Sequence, residues 1–184
     1  MKVDDAIKSR KSVRTFKNNK PDWRDIIDCI DAMRFAPTAG KNFTLKIILV
    51  SDKSKIQKIA KAAEQDFVAT GHYVVVVCSD PTRISNLYGK RAEIYLRQQA
   101  GAAIENFLLA IHDRGLATCW VGHFDEDQIK LALKIPDKIV VEAVFPIGYE
   151  LGKAHAKEKI ELDRILFFDD FKTKKMKAPV KPEA

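Results

Sequence analysis

The hydrophobic pattern is densest between Tyr95 and Gly122. Apolar or small side chains recur there at the three- and four-residue spacing of a helix, at Ala100, Ala103, Ile104, Phe107, Leu108 and Ile111. Three further residues make this helix apolar around most of its circumference: Ala102, Leu109 and Ala110. Such a helix is typical of a core or a subunit interface. Gly115 ends it, and Leu116 to Val121 are predicted to follow as a short buried strand.

Shorter patterns on both sides predict further helices and strands. Helices are predicted at 3–10, 21–36, 54–64 and 125–133, strands at 43–50, 73–78 and 139–147, and a helical connection from Pro81. The helix at 21–36 presents one apolar face, formed by Trp23, Ile26, Ile27, Ile30 and Met33. The run Tyr73 to Cys78 is the most hydrophobic and is typical of a central strand. No repeat or internal boundary interrupts residues 1–171, which are expected to form one domain.

Composition narrows the class of protein. A chain of 184 residues with 46% hydrophobic residues is long enough for a real core. No apolar run approaches the roughly 20 residues needed to cross a bilayer, so no membrane contact is expected. The three cysteines, Cys29, Cys78 and Cys119, lie far apart inside apolar stretches, which predicts free thiols and a cytoplasmic location.

The positive charge does not point to a particular partner. Net charge is +7, concentrated at residues 8–20 and 153–181. Neither run has the interleaved aromatics or motifs of a nucleic-acid binder, and basic runs are more often solvated faces. The four histidines lack the spacing of a zinc site, so no metal is expected.

One short segment carries the donors for an anionic ligand. Arg10, Lys11, Ser12 and Arg14 place guanidinium, ammonium and hydroxyl groups within five residues. Such a set suits a phosphate and its neighbouring hydroxyls. Segments of this composition also occur by chance on many protein surfaces, so it identifies nothing by itself.

The order of several segments suggests a family. RKSVR, APTAG, AEQDFV, GAAIENFLLAIHDRGLATCWVG, PIGY and KEK follow one another along the chain. In this order they resemble the nitroreductase-like flavoproteins. The resemblance implies an α+β fold, with a mostly antiparallel sheet flanked by helices, in an intertwined homodimer that binds FMN.

The resemblance also assigns roles to residues. Arg10, Lys11 and Ser12 would face the FMN phosphate and ribityl chain. Arg14 would reach the flavin ring and, as the catalytic residue, stabilise negative charge at N1 and O2. The turn residues Pro37, Thr38 and Ala39 would contact the FMN of the partner subunit, and Lys157 and Lys159 would close over the phosphate.

Two assignments leave alternatives open. Gln65 falls where the family places an amide that reads the pyrimidine edge of the flavin, but an ordinary exposed glutamine at a helix end fits equally well. Val121, Gly122 and His123 would lie beside the reactive part of the flavin. His123 either donates to the ring or lines the pocket, and the second interpretation is favoured.

The sequence departs from the family pattern at two places. After APTAG it continues Lys41-Asn42-Phe43, without the usual glutamine and tryptophan, so the roles of Lys41 and Asn42 stay open. The pair that closes over the phosphate is lysine at both positions, which implies a weaker and less oriented contact than arginine gives.

The resemblance implies an FMN-dependent NAD(P)H oxidoreductase with a ping-pong mechanism and an electron-poor acceptor, such as a nitroaromatic, a quinone or a flavin. No Gly-x-Gly-x-x-Gly segment is present, so NADH or NADPH would be held by stacking over FMN. The alternatives are dehalogenation, dehydrogenation or flavin fragmentation within the family, or a non-catalytic basic protein that binds nucleic acid or a partner.

The C-terminal part is expected to be an arm. Residues 150–171 contain an apolar set, Ile165, Leu166, Phe167, Phe168 and Phe171, that is too hydrophobic for a free tail. By the resemblance, this arm crosses to the partner subunit and adds an edge strand there. Residues 172–184 are polar and basic and are predicted to be a disordered tail.

Overall fold

A computed structural model of the chain describes residues 1–154 and 158–176. Its four strands are β1 (Leu45–Val50), β2 (Tyr73–Ser79), β3 (Ala117–Thr118) and β4 (Val140–Gly148). They form one sheet in the order β1-β2-β4-β3, and all three pairings are antiparallel. The predicted α+β fold with an antiparallel sheet is confirmed.

The described helices flank this sheet. They are α1 (Val3–Ser9), α2 (Trp23–Asp31), α3 (Lys53–Ala62), α4 (Thr82–Tyr88), α5 (Ala92–Asp113), α6 (Glu126–Leu133) and α7 (Leu162–Ile165). Short 3₁₀ turns lie at Ala32–Phe35, Ala39–Lys41, Asp66–Thr70 and Gly89–Arg91. None of the described helices is both long enough and apolar enough to span a bilayer.

Aspartate side chains fix where three helices begin. Asp22, Asp52 and Asp125 each accept a hydrogen bond from a backbone N–H of the first turn that follows. This satisfies a donor that the helix itself leaves free. As a result α2 begins at Trp23 rather than at the predicted Pro21, and α3 begins before Ser54.

The sheet is buried on both faces because helices cover each side. Alternate residues of β2, namely Tyr73, Val75 and Val77, belong to the core formed with α2 and α5. The intervening Val74, Val76 and Cys78 belong to the core formed with α3 and α6. A strand with no solvent-facing side reads as a continuous apolar run, so the prediction of a central strand is confirmed.

Helix α5 buries all six residues of its predicted apolar face. The ring of Phe107 packs edge-on against Phe145 of β4, with centroids 5.5 Å apart. Gly115 follows with a positive φ of 68°, a conformation that glycine adopts without strain, and the helix ends there as predicted.

The strand after α5 is shorter than predicted. Only Ala117–Thr118 form a ladder with β4, and Val121 makes a separate bridge to Val144. In this register Pro146 stands opposite Cys119, and proline has no N–H to donate. The predicted strand at 116–121 is therefore interrupted in its middle.

The predicted apolar face of the second helix is also divided. Ile26 and Met33 are fully buried, together with Cys29, whereas Trp23 and Ile27 each remain 45% exposed in the single chain. The chain tightens into a 3₁₀ turn at Ala32–Phe35, so α2 is shorter than predicted. The core contact therefore covers the side of the helix formed by Ile26, Cys29 and Met33, and the adjacent flank formed by Trp23 and Ile27 stays uncovered.

The C-terminal arm contains no strand in its described part. The rings of Phe167 and Phe171 stack with centroids 4.3 Å apart, and Lys174 Nζ lies 3.6 Å from the centroid of Phe167. Lys174 also donates to the carbonyl of Asp163 at 2.6 Å. The crossing of residues 150–171 to a partner stays a prediction. Residues 177–184 of the predicted tail lie outside the described residues.

Candidate functional site

The segment from Arg10 to Phe16 is extended and lies beside the sheet. Its Val13 N–H donates to the carbonyl of Thr118 at 2.8 Å, and Phe16 forms an antiparallel bridge with Glu150. Val13 and Phe16 are buried against Ala117 of β3. Two apolar anchors therefore hold a segment that exposes the polar side chains of Ser12 and Arg14.

Two of the predicted phosphate-binding cations are paired with carboxylates. Arg10 Nε lies 3.1 Å from Glu105 Oε1 of α5. Lys11 Nζ lies 2.8 Å from Glu150 Oε1, just after β4. Burial of Glu150 opposes ionisation, but hydrogen bonds from Lys11 and the Ala154 N–H outweigh it and lower the pKa of this carboxyl. Both carboxylates reduce the net charge that an anion would meet.

Arg14 differs from these two cations. Its guanidinium lies over the ring of Phe67, 5.7 Å from the centroid, and the side chain is exposed. Within the described residues no carboxylate oxygen lies within 4 Å of it. Gln65, half-buried, precedes Phe67 by two residues. The fold therefore brings the RKSVR and AEQDFV segments together.

A cavity of about 280 Å³ adjoins the paired cations at the C-terminal end of α5. Its lining includes Arg10, Lys11, His112, Thr118 and Glu150. Thr118 is only 5% exposed, and its hydroxyl has no hydrogen-bond partner in the described part of the chain. A buried hydroxyl without a partner is unfavourable, so this group suits a ligand that can accept or donate a hydrogen bond.

Sequence reasoning did not identify Thr118 or His112 as site residues. The sequence does contain an indication of Thr118, because it is the one polar residue in the apolar run from Leu116 to Val121. His112 Nε2 lies 2.7 Å from Ser9 Oγ, a pairing across 103 residues that no local pattern predicts.

The segment Val121 to His123 continues the same edge of the sheet. Val121 is buried and forms a β-bridge with Val144, while Gly122 and His123 are exposed. Gly122 lies beside the indole of Trp120, since a Cβ added there would be 3.6 Å from its Nε1. The described residues contain no group of three metal-ligating side chains.

The APTAG turn lies elsewhere in the single chain. Gln99 holds the residues after it, donating to the Asn42 carbonyl at 2.9 Å and accepting from the Thr44 N–H at 2.8 Å. Ala39 packs against Ala92 and Leu96 near the start of α5, whereas Arg10 contacts Glu105, nine residues after Leu96 and about 14 Å further along the helix axis. The exposed Pro37 and half-buried Thr38 and Ala39 are not brought to the RKSVR segment of their own chain.

The turn itself has a defined conformation. Gly40 and Lys41 both have a φ of 58°, and the Asn42 side chain donates to the Gly40 carbonyl at 2.8 Å. Asn42 therefore stabilises the turn. Of the two predicted phosphate-closing lysines, Lys159 is exposed, and Lys157 lies outside the described residues.

Comparison with known proteins decides the family. The family model described as Nitroreductase family matches residues 7–69 and 60–149. The chain belongs to the nitroreductase family. A relative in Archaeoglobus fulgidus with the provisional name NADH dehydrogenase/NAD(P)H nitroreductase is 29% identical over 167 residues, covering 86% of this chain and 93% of the relative.

Solved nitroreductases share the fold. A nitroreductase family protein from Clostridium novyi NT superposes with a TM-score of 0.75 at 29% identity, covering 94% of this chain and 96% of the other. An FMN-dependent nitroreductase from Clostridium difficile superposes with a TM-score of 0.77 at 22% identity, covering 90% and 98%.

The residues present fit the cofactor of such a nitroreductase. A flavin mononucleotide needs donors for a phosphate at one end and for a polar ring edge at the other. Arg10, Lys11 and Thr118 line the cavity, while Arg14 lies over the ring of Phe67, two residues after Gln65. The donor set therefore has the chemistry that FMN requires.

Proposed function

We propose that this nitroreductase is an FMN-dependent NAD(P)H oxidoreductase. The observation that carries the proposal is the single extended segment whose Arg10 and Lys11 line the cavity and whose Arg14 lies over Phe67 of the AEQDFV segment. The name of the Archaeoglobus fulgidus relative supports the use of a nicotinamide. The FMN-dependent Clostridium difficile protein, which shares the fold, supports the choice of flavin.

When bound, FMN would supply the hydride chemistry, with NADH or NADPH as the donor and an electron-poor acceptor as the second substrate of a ping-pong sequence. The residues of the chain would bind and orient the FMN. Arg10, Lys11 and Ser12 hold the phosphate and ribityl chain, with Lys157 and Lys159 closing over them. Arg14 places a positive charge at N1 and O2, where negative charge develops.

The ring environment comes from both edges of the site. The Gln65 amide can donate to and accept from the pyrimidine edge at once. Val121 and Gly122 form a wall beside the ring, and His123 lines the pocket. By the family resemblance, the acceptor is an electron-poor compound such as a nitroaromatic, a quinone or a second flavin.

The proposed enzyme is a homodimer, because one chain does not complete the site. Ala39 packs near the start of α5, away from the Glu105 contact of Arg10, so Pro37, Thr38 and Ala39 are assigned to the FMN of the partner. The exposed flank of α2 and the aromatic arm provide apolar surface for such a contact. Light scattering should give twice the 20.8 kDa chain mass, and a stable monomer would contradict the shared site.

The flavin itself is the decisive test. Purified protein is denatured, and the released chromophore is identified by chromatography and quantified against the chain concentration. We expect FMN in equimolar amount, and stopped-flow bleaching of its absorbance by NADH or NADPH. Recovery of FAD, or no flavin after FMN is added back, would refute the proposal. Parallel double-reciprocal lines with a quinone acceptor would support the ping-pong order, and intersecting lines would contradict it.

A further inference from the structure

A second cavity, of about 320 Å³, lies between α4, the start of α5 and the start of β4. Pro81, Leu96 and Val140 belong to its apolar lining. Four charged side chains also line it: Lys90, Glu93, Arg97 and Glu142. Its volume is at the lower end of the range for small-molecule sites, which is about 300 to 1,000 Å³.

This cavity is separate from the candidate FMN site. None of the described residues that line it also lines the cavity beside Arg10 and Lys11. Arg10 contacts Glu105, eight residues after Arg97 and about 12 Å further along α5. A ligand of the second cavity would therefore be independent of the proposed function.

Glu142 is the buried charged group of this lining. Its side chain is only 6% exposed. One of its carboxylate oxygens, Oε2, accepts a hydrogen bond from Arg97 Nη1. The other oxygen, Oε1, is buried and has no hydrogen-bond partner among the described residues. An acceptor that is removed from water without a partner is unfavourable, so Glu142 favours a ligand that carries a donor.

The charges around Glu142 favour a cationic donor. Arg97 is shared between two carboxylates, because its Nη2 also lies 3.9 Å from Glu93 Oε1. Lys90 supplies a second cation to the lining, but this residue is exposed, so water can hydrate its ammonium group. Glu142 is therefore the charged group of the lining that has lost water without full compensation.

We propose that this cavity binds a small organic ammonium ion, which donates a hydrogen bond to Glu142 while its apolar body packs against Leu96 and Val140. A hydrogen bond between an ammonium and a carboxylate is roughly twice as strong as one between neutral groups. The described residues contain no group of three metal-ligating side chains, which favours an organic cation over a metal ion.

Three probes with the same ring test the class of ligand. Cyclohexylmethylamine carries the ammonium group, cyclohexylmethanol is its neutral analogue, and cyclohexanecarboxylate carries the opposite charge. Each is titrated into the full chain with FMN in excess, and binding is followed by the NMR shifts of backbone amides. We expect saturable shifts at Leu96, Arg97 and Glu142 with the amine, and at least tenfold weaker binding of the alcohol and of the carboxylate.

Glu142→Gln removes the charge but keeps the size of the side chain and an acceptor oxygen. It should weaken binding of the amine by about tenfold, which corresponds to about 1.4 kcal/mol, and leave binding of the alcohol unchanged. Asp4→Asn is the matched control, because it removes one carboxylate from an exposed position of α1. Helix α1 contacts α5 at His112, 15 residues after Arg97 and about 22 Å further along the axis. This control should bind the amine like the wild type.

The comparison of the amine with the alcohol needs only the wild type, so it decides the question even if Glu142→Gln folds poorly. Equal affinity for these two probes, no saturable binding of the amine, or shifts confined to residues outside the cavity would each overturn the proposal. So would an amine affinity that Glu142→Gln leaves unchanged. Absence of FMN from the protein would refute the proposed function and leave the result for the amine intact.

Discussion

Arg14 is the residue at which binding and chemistry can be separated. Its guanidinium is exposed, lies over Phe67 and has no carboxylate partner in the described part of the chain. Its charge is therefore available to a ligand, unlike that of Arg10, which is paired with Glu105. We expect Arg14→Ala to retain FMN but to lower the reduction potential of the bound flavin and to slow hydride transfer from the nicotinamide.

The magnitude follows from the exposure of Arg14. Two unit charges about 4 Å apart interact by about 1 kcal/mol in bulk water and by about 4 kcal/mol at the effective dielectric constant of a protein surface. Because Arg14 is exposed, we take the lower part of this range, about 1 to 2 kcal/mol. For a two-electron couple this corresponds to about 20 to 40 mV.

The assay is the midpoint potential of bound FMN in equilibrium with a reference dye, measured beside the FMN affinity. Arg14→Lys keeps the charge and should keep most of the potential. Arg24→Ala removes an exposed arginine from the first turn of α2 and should change neither quantity. If the potential of Arg14→Ala stays at the wild-type value while its FMN affinity collapses, Arg14 is a second phosphate ligand and its assigned role is wrong.

Three further predictions concern stability. The Glu142 side chain is only 6% exposed, and one of its oxygens has no hydrogen-bond partner among the described residues. Arg97→Met removes its ion pair and should cost about 2 to 3 kcal/mol in urea unfolding; restoration by the additional change Glu142→Gln would confirm the cause, and an unaffected single variant would contradict it. Partial burial raises the pKa of the Glu126 carboxyl, but hydrogen bonds from Lys130 and the Val141 N–H outweigh this effect and lower it. The ionised carboxylate therefore stabilises the fold above the ordinary pKa of 4.5, and this stabilisation is lost as the pH falls from 4.5 through the lowered pKa of the folded state. The difference in unfolding free energy between wild type and Glu126→Gln should shrink in acid. Gly40→Ala forces alanine to a φ of 58° and should destabilise by about 1 to 2 kcal/mol. Gly101→Ala lies inside α5, where the described residues place no atom within 4 Å of the new Cβ apart from its chain neighbours and the nearby helix backbone, and it should stabilise by about 0.5 to 1 kcal/mol in thermal unfolding.

Periodicity determined most of the secondary structure. The six-residue apolar face of α5 and the continuous apolar run of β2 are patterns that only a buried helix and a doubly covered strand explain, and both are buried as predicted. These features depend on neighbours along the chain, so the sequence contains them directly. The order of the short segments along the chain likewise indicated the family, because this order can be read directly from the sequence.

Tertiary structure decided what depends on distant residues. Pro146 interrupts the strand at 117–121 only because the register sets it opposite Cys119. Packing against α5 determines which side of α2 is buried. Trp23 and Ile27 are as apolar as the buried residues of α2, but they face away from this contact and remain exposed.

The candidate site shows the same division. The sequence identifies Arg10, Lys11 and Arg14 as donors, but it treats them as equivalent cations. Their charges become different only when the fold brings Glu105 to Arg10 across 95 residues, brings Glu150 to Lys11, and leaves Arg14 over Phe67. Electrostatic interactions depend on distance in space rather than along the chain. Which cation is free to act on a ligand is therefore settled by tertiary contacts alone.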